Sequence, residues 1–82
     1  MLKIYGSRLC KDCIDCMNDL DRAGVGYTFF DFADDLKNLK AFLSIRDTSP
    51  LFDEARDAGS IGIPCIVQDN GDVTLSWDAF LP

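Results

Sequence analysis

The sequence predicts one small α/β domain, and three observations carry that prediction. Apolar runs at Leu2–Tyr5, Tyr27–Phe32 and Pro64–Gln68 alternate with segments of helical periodicity. Asn70-Gly71 is a strong hairpin signal between the third run and a fourth, Val73–Trp77. The 82 residues allow one modest core and no second module, so residues 1–82 are read as a single domain. The resulting order is β-α-β-α-β-β. A helical crossover makes the first two strands parallel, and the last two form an antiparallel hairpin.

Each element has its own justification. Leu2–Tyr5 reads as a short strand, with Gly6-Ser7 as its exit. Lys11–Ala23 reads as a helix, because Cys13, Ile14, Met17 and Leu20 recur at helical spacing while Asp12, Asp15, Asp19 and Arg22 fall largely elsewhere. Gly24 stops it. Tyr27–Phe32 is so nearly continuous in apolar character that it is expected to be a central strand covered on both faces. Asp34 or Asp35 caps a second helix, with Leu36, Leu39, Phe42 and Leu43 on one face and an end near Arg46-Asp47. Ser49-Pro50 restarts the helix, since Ser caps well and Pro suits the first helical position. Leu51, Phe52, Ala55 and Ala58 follow, and Gly59 ends the run. Ser76 to Pro82 is long enough for about one turn, with Trp77, Phe80 and Leu81 as cover.

Composition narrows the function classes. A net charge of −6, with acids spread along the chain and no basic cluster, argues against nucleic acid as a partner. No apolar run approaches the ~20 residues of a membrane span. No basic region followed by an apolar core opens the chain, which favours the cytoplasm. Histidine is absent, which removes Cys-His hydrolases and imidazole metal sites.

Chemistry is concentrated in the cysteines. Three of the four fall at Cys10, Cys13 and Cys16, and the fourth is Cys65. This is not the spacing of structural staples, and a reduced redox or metal protein is the better reading. Cys10-Lys11-Asp12-Cys13 stands where a strand gives way to a helix. Unpaired N–H groups and the positive end of the helix dipole favour a thiolate at the first position, and the second thiol, one turn in, can close a disulfide. Cys16 and Cys65 are most simply small buried residues. The four cysteines together also match the ligand number of a zinc or iron-sulfur site, which is the rival reading. Arg8 and Lys11 flank Cys10 as surface charges or as partners of a thiolate or an acidic peptide. Asp31, Asp34 and Asp35 read as strand-exit and helix-cap residues.

A strand, a C-x-x-C at a helix start, Gly62-Ile63-Pro64 before the third strand and a Gly-turn hairpin together resemble the thioredoxin fold in its minimal glutaredoxin form. The resemblance runs from Leu2 to Trp77. It implies a thiol-disulfide oxidoreductase in which Cys10 attacks a substrate disulfide and Cys13 resolves the mixed disulfide. It further implies that a cis bond before Pro64 presents the Ile63 backbone to an extended substrate. Tyr5 matches an aromatic often found at the end of that first strand. Asp78 stands loosely where the family holds the glutamyl end of glutathione.

The candidate substrate-binding residues are Arg8 and Lys11, which flank Cys10, together with Ile63, Pro64 and Asp78 from the resemblance. No bound cofactor and no metal ligand is assigned, and glutathione is left open as a co-substrate. The expected partners are disulfide-containing proteins together with glutathione or a reductase, and the chain is expected to be a monomer or a weak homodimer.

Three departures accompany the resemblance. Lys11-Asp12 replaces the usual Pro-Tyr between the cysteines. The region from Val73 to Asp78 lacks the Gly-Gly that helps to bind glutathione. The final helix is reduced to a turn, which leaves one sheet face partly bare.

Overall fold

Side-chain alternation along one strand sets out the layers of the molecule. In the computed structural model, which describes residues 1–82, β1 (Leu2–Gly6) sends Leu2 and Ile4 to one face of the sheet and Tyr5 to the other. On the Ile4 face lies α1 (Lys11–Arg22), which buries Cys16 and Leu20 against Ile4 and Ile66. The opposite face carries α2 (Leu36–Arg46), a 3-10 turn at Pro50–Phe52 and the short α3 (Asp53–Asp57). Phe42 and Phe52 pack there with Cys65. The result is an α/β fold with helices on both sides of one mixed sheet.

The sheet order is β2-β1-β3-β4, with β2 at Tyr27–Asp31, β3 at Cys65–Val67 and β4 at Val73–Thr74. β1 and β2 are parallel, from Leu2 opposite Tyr27 to Gly6 opposite Asp31. β3 runs antiparallel to both β1 and β4. Element order, the parallel first pair and the antiparallel last pair agree with the sequence reading.

The local signals act through identifiable hydrogen bonds. The Gly24 N–H donates to the Asp21 carbonyl and the Val25 N–H to the Leu20 carbonyl, closing α1 where Gly24 was expected to stop it. Asp35 caps α2 by accepting from the Lys37 N–H, at 2.8 Å. Ser49 caps the Pro50 turn by accepting from the Leu51 N–H. The Gly71 N–H reaches the Gln68 carbonyl in the hairpin turn.

Three expectations need correction. β2 is an edge strand, not a central one. Its aromatics report coverage above and below: Tyr27 and Phe29 pack toward α1, while Phe30 stacks on Tyr5, with ring centroids 5.1 Å apart, on the other face. Apolarity on both sides of a strand says nothing about whether both of its edges are paired. On α2, Leu36 and Leu43 are exposed, and the packed side is Leu39, Phe42 and Ile45.

β4 ends at Thr74 instead of Trp77. The Thr74 hydroxyl accepts from the Ser76 N–H, at 3.1 Å, and turns the chain. Trp77 then donates its indole N–H to Asp19 of α1, at 2.9 Å. Trp77, Phe80 and Leu81 pack on the α1-side core, so this tail supplies the cover expected of it. No helix is long and apolar enough to cross a membrane.

Candidate active site

A tight turn links β1 to α1 and delivers Cys10 to the helix start. The Leu9 N–H donates to the Ser7 hydroxyl, at 3.1 Å, and the Cys10 N–H to the Ser7 carbonyl, at 3.0 Å. Cys10 then occupies the N-cap of α1 in extended conformation, and its Sγ accepts the Cys13 N–H, at 3.4 Å. This position is more often filled by Ser, Thr, Asp or Asn, whose oxygen accepts an otherwise unpaired helix N–H. Here the acceptor is the sulfur of a half-buried cysteine that lines a surface hollow.

Cys13 sits one turn deeper and is fully buried. Burial pushes its thiol up to about 12, the neighbouring Cys10 sulfur adds to this, and the Ser7 backbone N–H acts in the opposite sense. Its place depends on Gly6, since a Cβ there would stand 2.6 Å from the Cys13 sulfur. Cys10 and Cys13 are therefore brought together, one reachable and one held as a protonated thiol.

Cys16 and Cys65 are not part of that arrangement. Cys16 packs with Ile4, Leu20 and Ile66 under α1, and Cys65 packs with Phe42 and Phe52 beyond the sheet. Burial pushes Cys16 up to about 12 and Cys65 up to about 11. No three Cys, Asp or Glu side chains converge as a metal site would require.

Arg8 is held on the flank of Cys10 by a residue whose role the sequence reading missed. Asp31, only 3% exposed, ends β2 directly opposite Gly6. Its Oδ1 accepts from the Ala33 N–H, at 2.9 Å, and its Oδ2 accepts from both the backbone and the guanidinium of Arg8. The Ala33 N–H, followed by the contacts from Arg8, holds this carboxyl below the usual range although burial opposes it. Arg8 also lies 5.2 Å over the Phe29 ring and 3.3 Å from Asp34. The available signal was an acid at the end of a strand expected to run parallel to the one that leads into Arg8.

The other expected binding residues divide. Ile63 lies beside Cys10, outside every helix and strand, and its N–H and C=O make no hydrogen bond within the chain. Pro64 is buried behind it, joined through a cis bond. Lys11 points to solvent and pairs with Asp15 at 2.7 Å. Asp78 is exposed in the C-terminal 3-10 turn at Asp78–Phe80, which the packing of Trp77 and Phe80 holds on the α1-side core, and it does not line the hollow at Cys10.

That hollow has a volume of about 760 Å³. Leu9 and Cys10 form one side, Phe32 and Ala33 another, and the segment from Gly59 to Ile63 a third. Gly62 is needed there on two counts: its φ is +92°, and a Cβ would meet the Phe52 ring at 2.7 Å.

The fold and site define a small α/β protein with a helix-capping cysteine at the mouth of an apolar hollow and a second cysteine one turn deeper. No protein-family model matches the chain. An uncharacterized protein of Haemophilus influenzae is 38% identical to it over 72 residues, spanning 88% of this chain and 84% of that protein. The chain belongs to the family that this relative represents. No solved structure matches it.

Proposed function

We propose that the chain is a thiol-disulfide oxidoreductase built on a thioredoxin-type architecture in a minimal, glutaredoxin-like form. The observation that carries this reading is the contrast between the two thiols: Cys10 caps α1 where solvent reaches it, and Cys13 is buried one turn below.

The reaction has two exchanges. The Cys10 thiolate attacks one sulfur of a substrate disulfide, forms a mixed disulfide and expels the other substrate sulfur as a thiolate. Cys13 then gives up its proton, which the first expelled substrate thiolate takes up, and attacks the Cys10 sulfur. The Cys10–Cys13 bond forms, the mixed disulfide breaks, and the second substrate sulfur leaves. The substrate gains two electrons and the protein loses two. A thiol reductant, glutathione or a dithiol protein, restores the pair.

The chain's own residues support each step. The Cys13 N–H, in the first turn of α1, donates to the Cys10 sulfur. Gly6 leaves room for the Cys13 sulfur below it. The free N–H and C=O of Ile63 can pair with an extended substrate backbone alongside Cys10.

The test is reduction of a low-molecular-weight disulfide by the wild type, Cys10→Ser and Cys13→Ser in the presence of dithiothreitol. Cys10→Ser is expected to fall to the uncatalysed rate. Cys13→Ser, reduced and then mixed with the disulfide after the dithiothreitol is removed, is expected to accumulate a mixed disulfide on Cys10. Full activity in Cys10→Ser would refute the proposal.

A further inference from the structure

We propose that the hollow beside Cys10 takes an extended segment of a protein client whose disulfide lies next to an apolar side chain, in preference to glutathione. This inference rests on the thiol-disulfide reading above and names the substrate class of the same site.

Four observations converge on it. First, none of the ten residues lining the hollow is charged. Glutathione presents two carboxylates, which gain most from paired cations at the site. The cations nearby in sequence or space are already engaged: Arg8 with Asp31 and Asp34, Lys11 with Asp15. Arg46 donates Nε to the Ile61 carbonyl and Nη2 to the Ser60 carbonyl, so it braces the wall of the hollow. The net charge of −6 works against an anionic ligand as well.

Second, two large aliphatic side chains stand out in water on either side of the hollow. Leu9 is 95% exposed and Ile61 is 56% exposed. Both are large apolar groups that a bound apolar side chain would remove from water.

Third, the apolar surface continues beyond the first hollow. A second hollow of about 320 Å³ shares Phe32, Gly59, Ser60 and Ile61 with the first and runs on to Leu39 and Leu43 of α2, with Arg46, whose guanidinium is tied to the Ser60 and Ile61 carbonyls, on its wall. Ligand sites of this kind are concave and mostly apolar, with few polar anchors.

Fourth, the free N–H and C=O of Ile63 offer main-chain pairing to an extended segment. Because Cys10 itself lines the hollow, a second copy of this chain seated there would cover the nucleophile. A client disulfide needs that contact and a dimer partner does not.

The experiment compares four disulfides as substrates of the full chain, each followed by kcat/KM with the same reductant. They are 2-hydroxyethyl disulfide, glutathione disulfide, and two peptide disulfides of eight residues that differ only in leucine or serine beside the cysteine. The leucine peptide is expected to react roughly tenfold faster than the serine peptide, the ratio set by taking one leucine side chain out of water. It is also expected to exceed glutathione disulfide.

Ile61→Asp, a change on an exposed loop, is expected to bring the leucine-to-serine ratio close to one. Equal rates for the two peptides, or a faster reaction with glutathione disulfide, would overturn the client proposal while leaving the enzyme reading in place. No turnover of any of the four disulfides would instead overturn the enzyme reading beneath it. A dimer in sedimentation that Ile61→Asp dissolves, with no peptide preference, would reassign the surface to self-association.

Discussion

Arg8 and Asp31 are joined twice, since the guanidinium Nη1 and the backbone N–H of Arg8 both donate to Oδ2 of Asp31, at 2.9 and 3.2 Å. The carboxylate is buried and the guanidinium is half exposed. The pair fastens the turn that carries Cys10 to the end of β2. Asp31→Ala strands the Arg8 and Ala33 N–H groups and is expected to cost about 2–3 kcal/mol in urea unfolding. The Asp31 carboxyl lies below its ordinary value of 3.8 in the folded protein. Its contribution is therefore complete above that value and is lost as pH falls below it. Asp31→Asn is expected to flatten the acid limb of the stability curve, and an unchanged limb would contradict this role.

Gly6→Ala tests the space under the turn. The added methyl would sit 2.6 Å from the Cys13 sulfur, with the Phe29 ring 3.4 Å away. Crowding of this kind costs roughly 1–3 kcal/mol. Closure of the Cys10–Cys13 disulfide is expected to slow in quenched-flow alkylation, because Cys13 must shift to make room. Closure at the wild-type rate would show that the sulfur has another route.

Selective modification follows from burial. Cys10 is half buried, while Cys13, Cys16 and Cys65 are inaccessible to solvent. Brief treatment of the native reduced protein with iodoacetamide is expected to give one adduct, on Cys10, by intact-mass and peptide analysis. Comparable labelling of Cys13 would contradict the division between the two thiols.

Alkaline stability reports the buried thiols. Burial pushes Cys13 and Cys16 up to about 12 and Cys65 up to about 11, from an ordinary value of 9.0. Above pH 9 the unfolded chain releases protons that the folded chain retains, so stability falls as pH rises through the interval up to those values. Each thiol contributes up to about 1.4 kcal/mol per pH unit there. Urea midpoints are expected to drop between pH 7.5 and 10, and Cys16→Ala is expected to lessen the drop. Tyr27, pushed up to about 12 chiefly by burial and then by Asp21, adds to the effect only above pH 10.

Features that depend on neighbours in sequence were legible before the structure. The Gly24 stop, a cap at Asp34 or Asp35 that the structure assigns to Asp35, the Ser49 cap, the Asn70-Gly71 turn and the placing of Cys10 at a helix start all act within a few residues. The burial of Cys16 and Cys65 followed from the usual behaviour of free cysteine.

What escaped depends on contacts between distant segments. The edge position of β2 is set by which strands pair with β1, and its aromatic run is silent on that point. Asp31 looks like an ordinary strand-exit acid until the parallel register sets it opposite Gly6 and beneath Arg8. Asp78 falls away from Cys10 because Trp77 turns back to Asp19 and ends the last strand early. The apolar hollow joins Leu9 to Ile61 across some fifty residues, and no local pattern marks it.

The measurement that bears most directly on the central claim is a redox titration of the native protein in mixtures of oxidised and reduced dithiothreitol, with acid trapping and peptide mass analysis. The proposal predicts a single reversible two-electron transition in which Cys10 and Cys13 become cross-linked while Cys16 and Cys65 stay free. Four free thiols across the whole range, or a first disulfide that excludes Cys10, would contradict it.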